Sequence, residues 1–331
     1  MSQSPTSQHT SRKSHWTRRS FLQTAAASVC SVPFWMSNRA PAGESIAETI
    51  PYEPTLRDRL WMWGHGSRAT DGVAKIPNGH GIDMADAIRS MGIPNVCVIR
   101  WQSLPKAEND TRDGSNPPFD RFIQQFHDTR RVAWGIIDGG EEPYRLKKEW
   151  AISLLDRMPN LTTFFLDDFF IGEPKLAPGQ TEPEAHLTLA ELRSLKAELA
   201  ALPRRPDLAA VLYAYQLNDL IREHLELCDV VSFWTWHATD LTALEKNFRR
   251  YREILPTKPT LLGIYMWDFG NEKPVTPELM RHQLDVALDL YKQGQIEGMI
   301  FHCTPLCDIG LEAVDTARQW IADHAEERIG G

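Results

Sequence analysis

Two adjacent aspartates, Asp167 and Asp168, follow a short apolar segment, residues 162–166, whose composition is typical of a buried strand. Carboxyl groups at the end of such a strand are costly to desolvate unless they are used or hydrogen-bonded there. One interpretation is structural, with Asp167 capping a turn and Asp168 in solvent. We favour a functional interpretation, in which the pair is the acid–base centre of an active site.

The pair has the chemistry that cleavage of a glycosidic bond requires. One carboxyl group protonates the leaving oxygen, and the other stabilises or attacks the anomeric carbon. Neighbouring carboxylates raise the pKa of one member, so one of them can remain protonated as the acid. We therefore predict Asp167 and Asp168 as the catalytic residues.

Aromatic and polar side chains gather at the ends of the other predicted strands. Flat aromatic faces pack against the C–H faces of pyranose rings, while carboxylates and histidines bind hydroxyl groups. The opposite strand ends carry a less distinctive polar set. The predicted substrate-binding residues are His65, Arg100, Asp138, Tyr213, Tyr215, Trp234, Trp236, His237, Tyr265, Trp267, Asp268 and His302.

Eight apolar segments, each followed by a helical pattern, must position these residues. The predicted strands are residues 60–63, 95–101, 131–137, 162–166, 208–215, 230–236, 260–267 and 298–302. The predicted helices are residues 83–91, 119–129, 143–157, 184–201, 217–225, 241–254, 277–292 and 311–326. Near-continuous apolar strands alternating with helices predict a parallel sheet covered on both faces.

The number of units predicts a single-domain α/β fold, the (β/α)8 TIM barrel, over residues 44–331. A doubly wound open sheet is the alternative. That fold places a G-x-G-x-x-G turn after its first strand, whereas this chain has Gly64-His65-Gly66-Ser67 there. The barrel is therefore favoured, and it places the chemistry at the C-terminal ends of its strands.

Composition excludes some functions. The chain has 331 residues, of which 42% are hydrophobic and 24% charged, and its net charge is −8. This length fits one domain with an N-terminal extension. The negative charge argues against a nucleic-acid partner. The aromatic and acidic residues at the strand ends instead predict a carbohydrate substrate.

The first 43 residues are typical of an export signal rather than of a folded domain. Arg18 and Arg19 precede a weakly apolar run, and residues 40–42 are suited to cleavage. The run is too short and too interrupted to span a membrane comfortably. We expect twin-arginine export to the periplasm or the extracellular space, with no membrane anchor in the mature form. A disordered basic tail is the alternative.

The cysteines do not indicate a metal centre. Cys97, Cys228, Cys303 and Cys307 follow the signal segment, and they form neither a CxxC pair nor a Cys/His ligand spacing. We predict no cofactor and no bound metal. Whether Cys303 and Cys307 form a disulfide stays open at this point.

Three short patches resemble the substrate-assisted β-N-acetylglucosaminidases of the O-GlcNAcase type. Residues 165–168 match the adjacent aspartates that follow the fourth strand of that family. The sixth-strand Trp-Thr pair is similar to Trp234-Thr235, and the Trp-Asp step after the seventh strand is similar to Trp267-Asp268. The resemblance implies a (β/α)8 glycoside hydrolase.

The resemblance also implies a role for each aspartate. Asp167 would orient the acetamido group of the substrate, which attacks the anomeric carbon, and Asp168 would be the general acid/base. A covalent mechanism remains open beside this one. Retaining and inverting enzymes differ in the separation of their two carboxyl groups, and the sequence does not give that separation.

Two other classes of function remain as alternatives. One is a metal-dependent sugar isomerase or epimerase, since a divalent ion needs several acidic or histidine ligands at strand ends. Its candidate ligands are His65, Asp138, Asp168, Asp268 and His302, although no glutamate ends a predicted strand. The other is a non-catalytic carbohydrate-binding barrel, which would not require two adjacent acids.

Overall fold

The computed structural model describes residues 54–99, 119–138 and 143–328. Several predictions fall outside these ranges. They concern the export signal over residues 1–43, the domain start at residue 44 and the substrate-binding role of Arg100.

Eight parallel strands close into a barrel. The barrel strands are β1 (Leu60–Gly64), β2 (Asn95–Val98), β3 (Arg131–Ile137), β4 (Leu161–Leu166), β5 (Asp207–Tyr213), β6 (Val230–Trp234), β7 (Thr260–Tyr265) and β10 (Gly298–His302). They pair in sequence order, and β1 closes the barrel by pairing with both β2 and β10. The prediction of a (β/α)8 barrel is therefore confirmed.

Helices follow the strands around the barrel. They are α1 (Met84–Met91), α2 (Phe119–Gln124), α3 (Tyr144–Leu154), α4 (Leu189–Ala200), α5 (Arg222–Leu227), α6 (Leu244–Ile254), α7 (Pro277–Lys292) and α8 (Glu312–His324). No helix among these described residues is both long and apolar enough to cross a bilayer.

Several of the helices are shorter than predicted. Helix α4 begins only at Leu189 because Thr188 caps it, accepting a hydrogen bond from the backbone N–H of Glu191.

Several predicted strands end early near the barrel mouth, and two of them, β5 and β7, turn into other structure there. Strand β5 stops at Tyr213, and the chain turns into a short 3₁₀ helix, Ala214–Gln216. Strand β7 stops at Tyr265, and the next residues form a separate two-stranded hairpin of β8 (Trp267–Asp268) and β9 (Lys273–Pro274). The prediction of one continuous strand over residues 260–267 is wrong. Both changes reorient side chains that the sequence placed at strand ends.

The N-terminal end of the barrel is closed by polar contacts. The buried Asn95 amide donates to the backbone oxygens of Asp58 and Leu60. The Arg131 guanidinium lies 4.8 Å from the Trp61 ring centroid and donates to the Asp58 backbone oxygen. These contacts satisfy buried polar groups, so this end serves stability and leaves the opposite end for chemistry.

The four described cysteines are free thiols. Cys97, Cys228, Cys303 and Cys307 are all buried, and none forms a disulfide. Burial raises the pKa of each thiol, which keeps the sulfur protonated. The pairing left open for Cys303 and Cys307 is thus absent.

Candidate active site

A cavity of about 310 Å³ opens at the C-terminal ends of the barrel strands. We call it the mouth cavity. Its lining is strongly aromatic, and carboxyl and imidazole groups reach into it. The lining residues are Trp63, His65, Val73, Asp138, Asp167, Asp168, Val211, Tyr213, Trp234, Trp236, Tyr265, Phe269 and His302.

The two aspartates at the end of β4 both line this cavity. Successive side chains of a regular strand point to opposite faces, so two neighbours do not normally share one site. Here Asp168 has a left-handed backbone with φ of 46°, which breaks the alternation. Its backbone N–H donates to Asp167 Oδ1 at 2.9 Å. Aspartate tolerates this conformation better than most residues, so the pair sits on a locally strained turn.

The environments of the two carboxyl groups differ. Asp167 is buried, whereas Asp168, the next residue of the turn, is exposed. Burial raises the pKa of Asp167 well above its usual range, and the charges of Asp168 and Asp138 raise it further. The hydrogen bond from the Asp168 backbone opposes this rise. Asp167 is therefore the carboxyl group that retains a proton as the pH rises.

A tyrosine from β5 holds the outer carboxylate. The Tyr213 hydroxyl donates to Asp168 Oδ1 at 2.6 Å. Burial raises the pKa of Tyr213, and the neighbouring tyrosine and aspartates add to the rise, so the hydroxyl keeps its proton. The Trp236 ring meets Tyr213 edge to face at a centroid distance of 5.4 Å. These contacts fix where the Asp168 carboxylate lies relative to the cavity wall.

A buried ion pair lies on the opposite side of the aspartates. Lys147 of α3 pairs with the carboxylate of Asp138, which follows β3. Both side chains are almost fully buried. The sequence analysis included Asp138 but missed Lys147, because a lysine in a helix ordinarily points to solvent. The position of Lys147 on the α3 face that also carries Ala151 and Leu154 was the available signal.

Two neutral histidines lie on the floor of the cavity. Burial lowers the pKa of His65 to about 3, although a hydrogen bond with the Ile99 backbone acts in the opposite direction. Burial also lowers the pKa of His302 well below its usual value. The Trp63 indole N–H donates to His65 Nε2 at 3.1 Å. His302 Nδ1 is buried without a hydrogen-bond partner in the described residues.

One group of side chains in the described ranges has the spacing for a metal ion. The ligand atoms of His65, His302 and Cys303 lie within 4.8 Å of one another. However, a metal at this group would have to ionise the buried Cys303 thiol, whose pKa burial raises well above its usual value.

Aromatic rings form the walls of the mouth cavity. Trp234 lies 5.5 Å from Trp63 and 4.9 Å from Tyr265, measured between ring centroids. Its indole packs directly on Gly263, where an added Cβ would lie 2.1 Å from the ring. Phe269 meets His302 edge to face at 4.8 Å. The interlocked rings give the cavity a fixed shape.

Four predicted substrate-binding residues lie outside the cavity lining. Tyr215 is half exposed and stacks on Tyr213. His237 packs on Gly270, where an added Cβ would lie 2.0 Å from its ring. The side chains of the other two residues form local hydrogen bonds. Trp267 donates to the Ala74 backbone oxygen at 3.1 Å, and Asp268 accepts from the backbone and side chain of Asn271 at 3.0 and 2.8 Å.

The structure thus gathers nine of the predicted site residues around one cavity. They are His65, Asp138, Asp167, Asp168, Tyr213, Trp234, Trp236, Tyr265 and His302. The sequence analysis missed Trp63, Val73, Val211 and Phe269. Trp63 was readable from the two-residue period that places it on the same strand face as His65. Val73 begins a short 3₁₀ helix and Phe269 lies in the turn of the β8–β9 hairpin, and neither element has such a period.

Comparison with solved structures gives matches at low sequence identity. Concanavalin B has 10% identity and a TM-score of 0.54, with 80% of this chain and 99% of that chain covered. A family 5 glycoside hydrolase, a mannosidase from Rhizomucor miehei, has 9% identity and a TM-score of 0.52, with coverages of 82% and 93%. The catalytic domain of a Pyrococcus furiosus chitinase has 14% identity and a TM-score of 0.50, with coverages of 83% and 97%.

These similarities show the shared fold. Two of these three structures are (β/α)8 glycoside hydrolases. A scan of known protein families found none that matches this chain. A search of curated proteins also found no match.

Proposed function

We propose that this protein is an exported glycoside hydrolase in which Asp167 and Asp168 perform the acid–base chemistry. One observation carries the proposal. Two adjacent carboxyl groups of unequal environment line one aromatic cavity, and one of them has a raised pKa. Carboxyl groups in unequal environments can take different roles in one reaction. The glycoside hydrolases among the structures of the same fold agree with this proposal.

The size of the cavity favours a small part of a carbohydrate. Its volume of about 310 Å³ lies at the lower end of the roughly 300–1,000 Å³ that ligand pockets span. One pyranose ring with a substituent is a ligand of this size. The indoles of Trp234 and Trp236 would pack on the ring, and the imidazole of His302, which also lines the cavity, would bind a hydroxyl group.

In the proposed reaction, Asp168 donates a proton to the glycosidic oxygen as the bond to the anomeric carbon breaks. Asp168 takes this role because it is the carboxyl group on the exposed side of the turn, where the leaving group must depart. Water then attacks the anomeric carbon and returns a proton to the Asp168 carboxylate.

Asp167 would act on the sugar itself. Its Oδ1 accepts the Asp168 backbone N–H, which leaves Oδ2 for the substrate. On an N-acetylated sugar, Asp167 would orient the acetamido group, whose oxygen attacks the anomeric carbon as the leaving group departs. This finer assignment follows from the resemblance of residues 165–168 to the O-GlcNAcase type.

The first experiment is a panel of p-nitrophenyl β-glycosides of glucose, galactose, mannose and N-acetylglucosamine, each with and without EDTA. Release from one sugar that is insensitive to EDTA is the expected result. Activity that EDTA abolishes and a divalent ion restores would favour the metal-dependent alternative. No release from any sugar, together with binding of one of them, would favour the non-catalytic barrel.

Asp168→Asn tests the acid–base role directly. It should lower turnover of an unactivated glycoside by about 10²-fold or more, because a positioned acid typically contributes that much. Asparagine also tolerates a positive φ, so circular dichroism should be unchanged. A folded variant with wild-type turnover would contradict the assignment.

A further inference from the structure

Exposed apolar side chains gather on the two loops that follow β4 and β5. Six large hydrophobic side chains are exposed in the described residues, and four of them lie on these loops: Ile171, Leu176, Tyr215 and Leu220. Side-chain amides tie the loops together. Gln216 donates to the Gly172 backbone oxygen at 3.0 Å, and Asn218 donates to that of Pro174 at 2.8 Å. The two loops therefore form one rim beside the mouth cavity.

Tyr215 is the flat member of this rim. Its ring stacks on that of Tyr213 with a centroid distance of 5.4 Å and an interplanar angle of 6°. Because Tyr213 covers one face and the residue is 51% exposed, the other face is open. The backbone on either side of Tyr215 is tied down, since the buried Gln216 side chain accepts the Tyr213 backbone N–H at 3.0 Å.

The open ring lies next to the proposed acid. Tyr213, on which it stacks, donates its hydroxyl to Asp168. Burial raises the pKa of Tyr215, and the charge of Asp168 raises it further, as expected for two groups close together. A planar, half-exposed ring thus borders the carboxyl group that would protonate the glycosidic oxygen.

That position fixes which half of the substrate the ring would meet. The glycosidic oxygen joins the sugar held in the cavity to the leaving group, and the proposed acid must contact this oxygen. The leaving group then extends from Asp168 away from the cavity floor, toward the rim. We propose that Tyr215 is the binding platform for the leaving group, and that this group is a second sugar ring whose C–H face stacks on the open tyrosine face.

This inference rests on the proposed function and sharpens it. The natural substrate would be an oligosaccharide or polysaccharide, since a glycoside with a small leaving group gains nothing from the platform. The same logic predicts that binding energy from this ring is used in cleavage of a sugar–sugar bond.

The test compares two substrates of the same sugar. One is the β-glycosyl azide, whose small leaving group has no ring, and the other is the β-1,4-linked disaccharide. These are N-acetylglucosaminyl azide with di-N-acetylchitobiose, or glucosyl azide with cellobiose if the panel selects glucose. Tyr215→Ala should lower kcat/KM for the disaccharide about 10-fold, because loss of one ring-sized apolar contact costs binding free energy of about that size. Hydrolysis of the azide should change by less than about two-fold.

Two variants serve as controls. Tyr215→Phe keeps the flat face and should retain disaccharide cleavage. Leu146→Ala removes another exposed apolar side chain, on α3, and should change neither substrate. A Tyr215→Ala variant that loses both substrates equally, or neither, would overturn the platform. If the wild-type protein cleaves neither the azide nor the disaccharide, the proposed function itself is overturned. The azide tests that function separately, because its leaving group does not reach Tyr215.

Discussion

Replacing Asp167 by asparagine should stabilise the folded barrel at neutral and alkaline pH while it lowers activity. In the folded chain, burial and the nearby charges of Asp168 and Asp138 raise the pKa of this carboxyl group well above its usual value. In the unfolded chain it titrates at about 4. Between these two pKa values the folded state binds one more proton. The free energy of unfolding therefore falls by about 1.4 kcal/mol for each pH unit of increase.

Other buried groups restrict where this slope can be measured cleanly. The lowered pKa values of His65 and His302 make stability rise with pH, but only up to their unfolded value of about 6.5. Burial raises the pKa of Asp207 to about 6, so its contribution to the free energy of unfolding decreases as the pH rises toward this value. This decrease is complete soon above pH 6. Above about pH 6.5 the slope then comes mainly from Asp167, for as long as the pH stays below the raised pKa of this carboxyl group.

The assay is urea denaturation at several pH values across this window. The wild-type protein should lose stability with rising pH, and Asp167→Asn should show a flatter dependence and greater stability at pH 8. Asp207→Asn is the matched control, because Asp207 begins β5 at the opposite end of the barrel and should keep the wild-type slope. Equal slopes for wild type and Asp167→Asn, or lower stability of the variant at pH 8, would refute the assignment of a neutral buried carboxyl group. Turnover by Asp167→Asn should fall about 10²-fold.

Two further substitutions test the supports of the site. Lys147→Met removes the ammonium partner of the buried Asp138 carboxylate and should lower the free energy of unfolding by about 3–5 kcal/mol in urea denaturation. The double variant with Asp138→Asn should recover part of this loss, and an equally unstable double variant would contradict the pairing. Gly263→Ala places a Cβ 2.1 Å from the Trp234 ring and should cost about 1–3 kcal/mol through overpacking. An unchanged near-ultraviolet circular dichroism spectrum would show that the ring had not moved.

The sequence predicted the barrel because its strands are buried on both faces. Such strands read as uninterrupted apolar runs, and β4 with its two following aspartates is the plainest case. The carboxyl ends of these runs together place nine predicted site residues around one cavity. Strand type and strand order are thus encoded locally, in hydrophobicity and in the helices that separate the runs.

Side-chain direction was not encoded in the same way. Trp267 and Asp268 follow an apolar run that looks like one strand, yet a hairpin begins there, and both side chains are used in local hydrogen bonds. Lys147 looked like a surface lysine because only tertiary packing brings Asp138 to it. The joint orientation of Asp167 and Asp168 depends on a positive φ, which an aspartate permits but does not require.

The left-handed backbone at Asp168 also affects how this site can change by mutation. Of the substitutions that one base change produces from an aspartate codon, asparagine best tolerates a positive φ, apart from glycine. It also retains an oxygen that can accept the hydrogen bond from Tyr213. If the proposed function holds, a single transition would thus remove the acid and leave the aromatic cavity intact. The step from the proposed hydrolase to a sugar-binding protein would then be a single base change.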